Sequence, residues 1–331
     1  MKRMLSGIKP SGQLHIGNYI GALRNFVNYQ DEYEMFVFIA NLHCVTVYQD
    51  PKELRKNLKD AIALYLACGL DPKKACIFLQ SDVMEQAQLG FLMSCNTYMG
   101  ELNRMTQYKD KLAKQETNIT AGLFVYPSLM AADILAYDAN YVPVGDDQKQ
   151  HVELARDVAE RFNNRYSETF VIPEPLIQKV GARIMSLSDP TKKMSKSDEV
   201  NKGCIYLLDD LATMRKKVMS AVTDMEGVVR YDKEKQPGIS NLLEIASCLT
   251  DEPIESLVKK YNGVGYGEFK KEVADIVCDK MGAIQQKYQE IIDSNIIEEV
   301  LTEGAQKARY IASKKLKKVQ KKIGIEIIIQ A

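Results

Sequence analysis

The hydrophobic pattern of the first half of the chain alternates short apolar runs with stretches of helical periodicity. Four apolar runs of strand length lie at residues 4–8, 35–40, 76–79 and 141–144. The run at 35–40 is continuous, which is typical of a strand covered on both faces. Strands that alternate with helices predict a parallel sheet with right-handed connections, whose ligands lie beyond the carboxyl ends of the strands.

Helical spacing follows the strands, first over residues 18–29 and again from residue 50. Asp50 suits the cap position of the second helix, Pro51 its first position and Glu53 the position three residues after the cap. Gly69 is placed to end this helix. A third helix is expected from about residue 84.

The pattern changes in the second half of the chain. The segment 93–136 is mostly helical in spacing and rich in Met and Tyr, and residues 171–179 are interrupted by prolines, which predicts an irregular segment. Beyond residue 186 the strand signals give way to helices, one of them with an apolar face formed by Leu211, Met214, Val218, Met219 and Val222. We therefore predict an α/β fold with a Rossmann-type parallel-sheet domain over residues 1–185 and a helical C-terminal domain over residues 186–331.

Composition and charge narrow the class of protein. With 331 residues and 46% hydrophobic content the chain can bury a large core. Lys+Arg and Asp+Glu both total 44, so a nucleic-acid partner would have to meet a local basic patch. Seven cysteines without a CxxC pair favour neither a disulfide framework nor a zinc site. No signal-like or membrane-length apolar run is present, and we expect a soluble cytoplasmic protein without a membrane partner.

One local basic patch is evident near the C-terminus. Between residues 307 and 322 the chain carries eight basic residues and no acid, with an apolar stripe that predicts a helix. Such a run is either a solvated face or a surface that contacts phosphates. The basic residues are Lys307, Arg309, Lys314, Lys315, Lys317, Lys318, Lys321 and Lys322.

Two segments carry the chemistry of phosphate binding. Residues 193–197, Lys-Met-Ser-Lys-Ser, place two ammonium groups and two hydroxyls within five positions. The segment 11–18 is a glycine-bearing turn between the first strand and the first helix, where backbone N–H groups and the helix dipole favour anions. It matches neither the dinucleotide fingerprint nor the Walker sequence. A solvated basic loop is the alternative for 193–197.

The two segments resemble the signature motifs of class I aminoacyl-tRNA synthetases. Residues 15–18, His-Ile-Gly-Asn, are similar to the HIGH motif, and residues 193–197 match the KMSKS motif in full. Longer strings resemble the tryptophanyl-tRNA synthetases of bacterial type, and tyrosyl-tRNA synthetases share the two motifs but not these strings. The resemblance covers about residues 6–312, and its longer strings lie at 126–135, 143–157, 181–186, 231–234 and 237–241.

The resemblance implies a ligase that activates L-tryptophan with ATP to tryptophanyl-adenylate and transfers the amino acid to tRNA(Trp). It implies Mg²⁺ held through the ATP phosphates, no metal bound by the protein itself, and a homodimer joined through the insertion at about residues 93–136. A tyrosyl-tRNA synthetase and a non-catalytic RNA-binding module on a synthetase scaffold remain the alternatives.

The resemblance also assigns site residues by position. Catalytic roles are expected for His15, Asn18, Lys111, Lys193, Ser195 and Lys196. Contacts to ATP are expected from Lys9, Pro10, Ser11, Gly17, Asn18, Gly145, Asp146, Asp147, Ile184, Lys193, Met194, Ser195, Lys196 and Ser197. Contacts to tryptophan are expected from Asp133, Tyr126, Met130, Gln148, Val142, Val144, His43 and Gly7. Lys9 departs from the Gln that many bacterial relatives carry there.

Asp133 can also be considered without the resemblance. It lies in an apolar stretch of small residues that predicts a helix, where an unpaired carboxylate would cost several kcal/mol. An indole N–H is a donor without an acceptor and would satisfy it. The alternative is a structural aspartate whose donors come from the backbone or an arginine.

Overall fold

The structure, a computed structural model, describes residues 1–10, 12–113, 120–177, 183–195 and 202–326. Within these residues a five-stranded parallel sheet has the strand order β3-β2-β1-β4-β5. The strands are β1 Arg3–Ile8, β2 Glu34–Ile39, β3 Ala75–Leu79, β4 Tyr141–Val144 and β5 Glu174–Ile177. The predicted α/β class with a parallel sheet is confirmed.

The continuous apolar runs are explained by two cores on opposite faces of the sheet. Met35 and Val37 of β2 enter one core, and Phe36 and Phe38 enter the other, because successive side chains of a strand point to opposite faces. All four are less than 5% exposed. The absence of polar alternation in the sequence therefore reports the burial of both faces.

Helices connect the strands as predicted. The helices before the second signature segment are α1 Ile16–Asn18, α2 Arg24–Tyr29, α3 Asn41–Cys44, α4 Pro51–Ala67, α5 Met84–Ser94, α6 Met99–Asn103, α7 Thr106–Ala113, α8 Ala121–Leu135 and α9 Lys149–Tyr166. A π-helical turn, Tyr19–Leu23, joins α1 to α2, so the helix expected over residues 18–29 is present. The side chain of Asp50 caps α4 by accepting from the backbone N–H groups of Lys52 and Glu53.

The prediction of an irregular segment at 171–179 is wrong for residues 174–177, which form β5. The strand is short and contains Pro175, which has no N–H for a ladder. Its position at the edge of the sheet, where β4 is its only partner among the described residues, explains why a proline is tolerated.

The second half of the described chain is helical. Its helices are α10 Leu211–Met219, α11 Pro237–Thr250, α12 Ile254–Lys260, α13 Tyr266–Ile292 and α14 Ile296–Ile323. Residues of α10, α11 and α13 belong to the same core as Met35 and Val37, and α13 packs against α4 on that side of the sheet. Domain limits at residue 185 stay a prediction.

The apolar face predicted for α10 is only partly correct. Met214 and Val218 are fully buried, whereas Leu211 and Met219 are 40% and 39% exposed. Met219 lies one position, about 100°, around the helix from Val218. Val222 follows the end of the helix and is 48% exposed.

The last helix, α14, packs along β3 at the edge of the sheet, with Val300 near its start in the core of α10–α13 and its later turns in the other core. Ala312, Leu316 and Val319 join the core that contains Phe36. A Cβ atom at Gly304 would overlap the carbonyl oxygen of Ile77 in β3, so only glycine permits this approach. The predicted apolar stripe of this helix is confirmed, and its partner is the sheet.

Among the described residues no helix is both long and apolar enough to cross a membrane.

Candidate active site

The first signature segment is held at the carboxyl end of β1 by contacts with a distant part of the chain. The side-chain oxygen of Asn18 accepts from the backbone N–H of His15 at 3.1 Å, which caps the turn. The backbone N–H of Ile16 donates to Ile205 at 2.9 Å, and the N–H of Leu207 donates to Leu14 at 2.9 Å. Residues 14–16 thus pair with residues 205–207, which follow the second signature segment.

The first residues of the second signature segment, Lys193 and Met194, form one side of a hairpin over residues 184–194. The N–H of Met194 donates to Ile184 at 3.0 Å, and the N–H of Ser186 donates to Lys192 at 2.9 Å. A Cβ atom at Gly17 would lie 3.6 Å from Cβ of Ile184, so the first turn and this hairpin are in contact. The structure therefore brings the two motifs, about 180 residues apart in the chain, to one place.

An asparagine of the helical part holds this hairpin. Asn241 accepts from the N–H of Met185 at 2.8 Å and donates to its carbonyl oxygen at 2.9 Å. Asn241 is 2% exposed and lies in α11. In the sequence, Asn241 belongs to one of the strings that carry the resemblance, but it had no predicted role. Nothing else in the sequence indicates that its amide would bind both backbone groups of Met185.

Part of the predicted phosphate site lies outside the described residues. Ser11, Lys196 and Ser197 belong to that part, as do the side chains of Lys111 and Asp146. Of the remaining ATP candidates, Lys9 and Lys193 are exposed, while Pro10, Met194 and Ile184 are buried. Exposed lysines flanking a buried turn can meet an anion, so this surface is compatible with the predicted phosphate contacts.

Asp133 lies in α8 and is completely buried. Its carboxylate accepts from Nε2 of Gln80 at 3.0 and 2.9 Å, from Nε2 of Gln86 at 2.7 Å and from Nε2 of His43 at 2.8 Å. The protein itself therefore supplies donors to this carboxylate, and they are neither the backbone nor the arginine that the structural alternative named. The donors are two glutamines and a histidine. Gln80 and Gln86 were not identified as site residues from the sequence. The contact of Asp133 with tryptophan stays a prediction.

Tyr126 and His151 form the neighbouring polar group. The Tyr126 oxygen lies 2.5 Å from Nε2 of His151 and 2.8 Å from Oε1 of Gln107. One hydroxyl proton cannot serve both, so the arrangement that satisfies both has imidazole donating to Tyr126 and Tyr126 donating to Gln107. The Tyr126 ring also packs edge-on against His43, with ring centroids 5.9 Å apart. The structure thus brings Tyr126, His43 and Asp133 together, and their contacts with tryptophan stay a prediction.

Burial governs the protonation of this pair. Desolvation lowers the pKa of His151 to about 4, with a smaller lowering contribution from His43 and a raising one from Asp147. Desolvation also raises the pKa of the Tyr126 hydroxyl well above its usual range. Both side chains are therefore neutral at physiological pH.

Of the other tryptophan candidates, Met130 lies in α8, Val142 and Val144 lie in β4, and Gly7 lies in β1. Val142 is buried in the core that contains Phe36 and Phe38. Met130 and Val144 are partly buried and pack against the same core. A Cβ atom at Gly7 would overlap the ring of Phe38 in the adjacent strand, which explains glycine at this position.

The segment 145–147, expected to contact ATP, is followed directly by Gln148, one of the residues expected to contact tryptophan. Gln148 donates to Oδ2 of Asp147 at 2.9 Å, and a Cβ atom at Gly145 would lie 2.9 Å from Oδ1 of the same carboxylate. One candidate for tryptophan, Gln148, is therefore hydrogen-bonded to a candidate for ATP.

Comparison with known proteins first gives the class. The family model of class I tRNA synthetases (W and Y) matches residues 1–279. A curated tryptophan–tRNA ligase of Caldanaerobacter subterraneus subsp. tengcongensis is 55% identical over 325 residues, covering 98% of this chain and 99% of the relative.

Solved structures give the same result. The crystal structure of tryptophanyl-tRNA synthetase from Mycoplasma pneumoniae has a TM-score of 0.88 at 39% identity and covers 98% of each chain. The Campylobacter jejuni enzyme complexed with ADP and tryptophan has a TM-score of 0.85 at 41% identity, covering 97% of this chain and 99% of that one. The chain belongs to the class I tRNA synthetases, in the family of bacterial tryptophan–tRNA ligases. The tyrosyl and non-catalytic alternatives are not favoured.

Proposed function

We propose that the chain activates L-tryptophan with ATP, releasing diphosphate, and transfers the tryptophanyl group to tRNA(Trp). The observation that supports this most is the contact between the two signature segments, with Gly17 against Ile184 and residues 14–16 paired with residues 205–207. A phosphate chain lying over this junction would meet donors from both segments at once.

The activation step needs positioning more than acid–base chemistry. The attacking tryptophan carboxylate is already ionised at neutral pH, so no general base is required. Stabilisation of charge on the leaving diphosphate is the task left to the protein. The groups proposed for it are the side chains of His15, Asn18, Lys111, Lys193, Ser195 and Lys196. MgATP is the substrate, and its Mg²⁺ arrives bound by the phosphate oxygens.

The nucleotide and the amino acid would occupy adjoining sites. The buried Pro10 and Ile184 and the Gly145–Asp147 segment would hold adenine and ribose, with Ser11, Gly17, Met194, Ser197 and Lys9 near the phosphates. The indole would lie against Met130, Val142, Val144 and Gly7, and its N–H would donate to Asp133. The tryptophan ammonium group would meet the Tyr126 hydroxyl and Gln148, with His43 at the mouth of the pocket.

A homodimer and tRNA are the proposed macromolecular partners. Large apolar side chains are exposed on α5, α6 and the residue before α6, namely Met84 at 68%, Phe91 at 70%, Tyr98 at 55% and Met99 at 65%. An apolar surface of this kind is what a second copy would cover. The exposed lysines of α14 would contact tRNA phosphates, and as a tRNA-charging enzyme the protein would act in the cytoplasm.

The proposed function is tested by ATP–pyrophosphate exchange with each of the 20 amino acids separately. We expect exchange with tryptophan. Exchange with tyrosine alone would instead indicate a tyrosyl-tRNA synthetase, and exchange with none would indicate a binding module.

A further inference from the structure

Two buried glutamines approach Asp133 from different elements of the fold. Gln80 lies in the 3₁₀ turn that follows β3, and Gln86 lies in α5. Both are 0% exposed, as is Asp133 itself. The Gln80 amide nitrogen is within 3.0 Å of both carboxylate oxygens, and that of Gln86 is 2.7 Å from Oδ1.

The orientation of each amide is fixed by a donor on its oxygen. The backbone N–H of Leu42 donates to Oε1 of Gln80 at 3.0 Å. The hydroxyl of the buried Tyr137 donates to Oε1 of Gln86 at 3.2 Å. Rotating either amide by 180° would set its oxygen against the Asp133 carboxylate, acceptor against acceptor, and rotating Gln80 would also set its NH₂ group against the Leu42 N–H. Both NH₂ groups are therefore held toward Asp133.

The carboxylate of Asp133 is consequently surrounded by donors. A carboxylate has about four lone-pair positions. Oδ1 accepts from Gln80 and Gln86, and Oδ2 accepts from Gln80 and from His43 in its Nε2-protonated form. The two glutamines are completely buried, whereas the His43 side chain is 12% exposed. Of these three donors His43 is the one with a partly exposed side chain, so we infer that a ligand approaches the carboxylate through the position of His43.

We propose that Gln80 and Gln86 are positioning residues for amino-acid selection, which fix Asp133 as an oriented acceptor for one incoming N–H group. This inference rests on the proposed function, in which that N–H belongs to the indole of tryptophan. A ligand with an N–H group forms a hydrogen bond with this fixed acceptor. A ligand without one leaves the buried carboxylate position unpaired, and a site of this kind can reject such analogues strongly. Neither glutamine touches the substrate in this arrangement.

The test replaces each glutamine by methionine, which is similar in length and has no amide. Gln30→Met is the matched control, because Gln30 is also buried and its amide also makes two hydrogen bonds. Its NH₂ group donates to the Gly69 carbonyl oxygen at 3.2 Å, and its oxygen accepts from the Asp71 N–H at 2.9 Å. Pyrophosphate exchange is measured with tryptophan and with 1-methyltryptophan, whose indole nitrogen is blocked. The KM for ATP and the thermal unfolding temperature are measured in parallel.

We expect Gln86→Met to lower kcat/KM for tryptophan roughly 10-fold through KM, about the effect of one hydrogen bond to a charged group. The KM for ATP and kcat should stay within about twofold, and kcat/KM for 1-methyltryptophan should fall by less than about threefold. Gln80→Met should show the same separation, and Gln30→Met should not.

Equal losses for tryptophan and for 1-methyltryptophan in both variants would overturn the positioning role and leave the glutamines as core residues. If only one variant folds, the same comparison on that variant decides. The proposed function fails separately, when the wild-type protein shows no exchange with tryptophan or uses 1-methyltryptophan as readily.

Discussion

The buried His151 predicts a specific dependence of stability on pH. Its imidazole is 1% exposed, and burial lowers its pKa from 6.5 to about 4. Between these two values the unfolded chain binds a proton at this residue and the folded chain does not. The free energy of unfolding therefore falls as the pH is lowered through this window, and the contribution levels off below pH 4.

The size of the effect follows from the two pKa values. Relative to high pH, protonation of His151 in the unfolded chain lowers the free energy of unfolding by about 2 kcal/mol at pH 5 and by about 0.2 kcal/mol at pH 7. Acidification from pH 7 to pH 5 should thus remove about 2 kcal/mol of stability through this residue alone. The chain has only three histidines, and the 44 carboxylates that begin to bind protons near pH 5 are the same in the wild type and in a variant at His151.

Urea unfolding at pH 7 and pH 5 measures this contribution, with His151→Gln as the comparison at the same protein concentration. The variant should lose about 2 kcal/mol less than the wild type on acidification. Equal losses, within about 0.5 kcal/mol, would refute the argument that the folded protein keeps His151 neutral.

The remaining predictions concern substrate and tRNA. Lys196→Ala should leave tryptophan affinity nearly unchanged and lower the rate of adenylate formation at least ~100-fold. Equal losses of affinity and rate would indicate that the segment 193–197 has only a structural role. Charge reversal at Lys314, Lys317 and Lys318 should weaken tRNA binding and its salt dependence without changing pyrophosphate exchange, and unchanged tRNA affinity would mean a solvated face. Asp133→Asn should lose much of the discrimination between tryptophan and 1-methyltryptophan, measured as the ratio of their kcat/KM values.

Lys315 shows why a basic run cannot be read as one surface. The sequence groups it with the exposed lysines, but it is 7% exposed and its Nζ lies 2.5 Å from Asp138 and 2.8 Å from the Thr169 carbonyl oxygen. Burial lowers its pKa, and the bond to Asp138 opposes this. Reversing its charge would disturb the packing of α14, so it is left out of the tRNA variants.

The elements that follow from a strong local pattern were predictable from the sequence. Strands β1 to β4 coincide with apolar runs, since burial on both faces leaves no room for polar alternation. Strand β5 was not predictable, because four residues with a proline carry no strand signal and only the neighbouring β4 makes them a strand.

The candidate site was predictable as a set of residues but not as a set of contacts. The two motifs and Asp133 stand out in the sequence. The donors of Asp133 do not, because Gln80 and Gln86 lie 53 and 47 positions away on other elements, and nothing local distinguishes a buried glutamine from an exposed one. Long-range polar pairing of this kind is decided by the tertiary structure alone.

Transfer of labelled amino acid to tRNA tests the central claim most directly. The purified protein is incubated with MgATP, total bacterial tRNA and either labelled tryptophan or labelled tyrosine, and acid-precipitable label is counted. The proposed function predicts that tryptophan is attached to tRNA and that excess unlabelled tyrosine does not compete. Attachment of tyrosine, or pyrophosphate exchange with tryptophan but no charged tRNA, would contradict it.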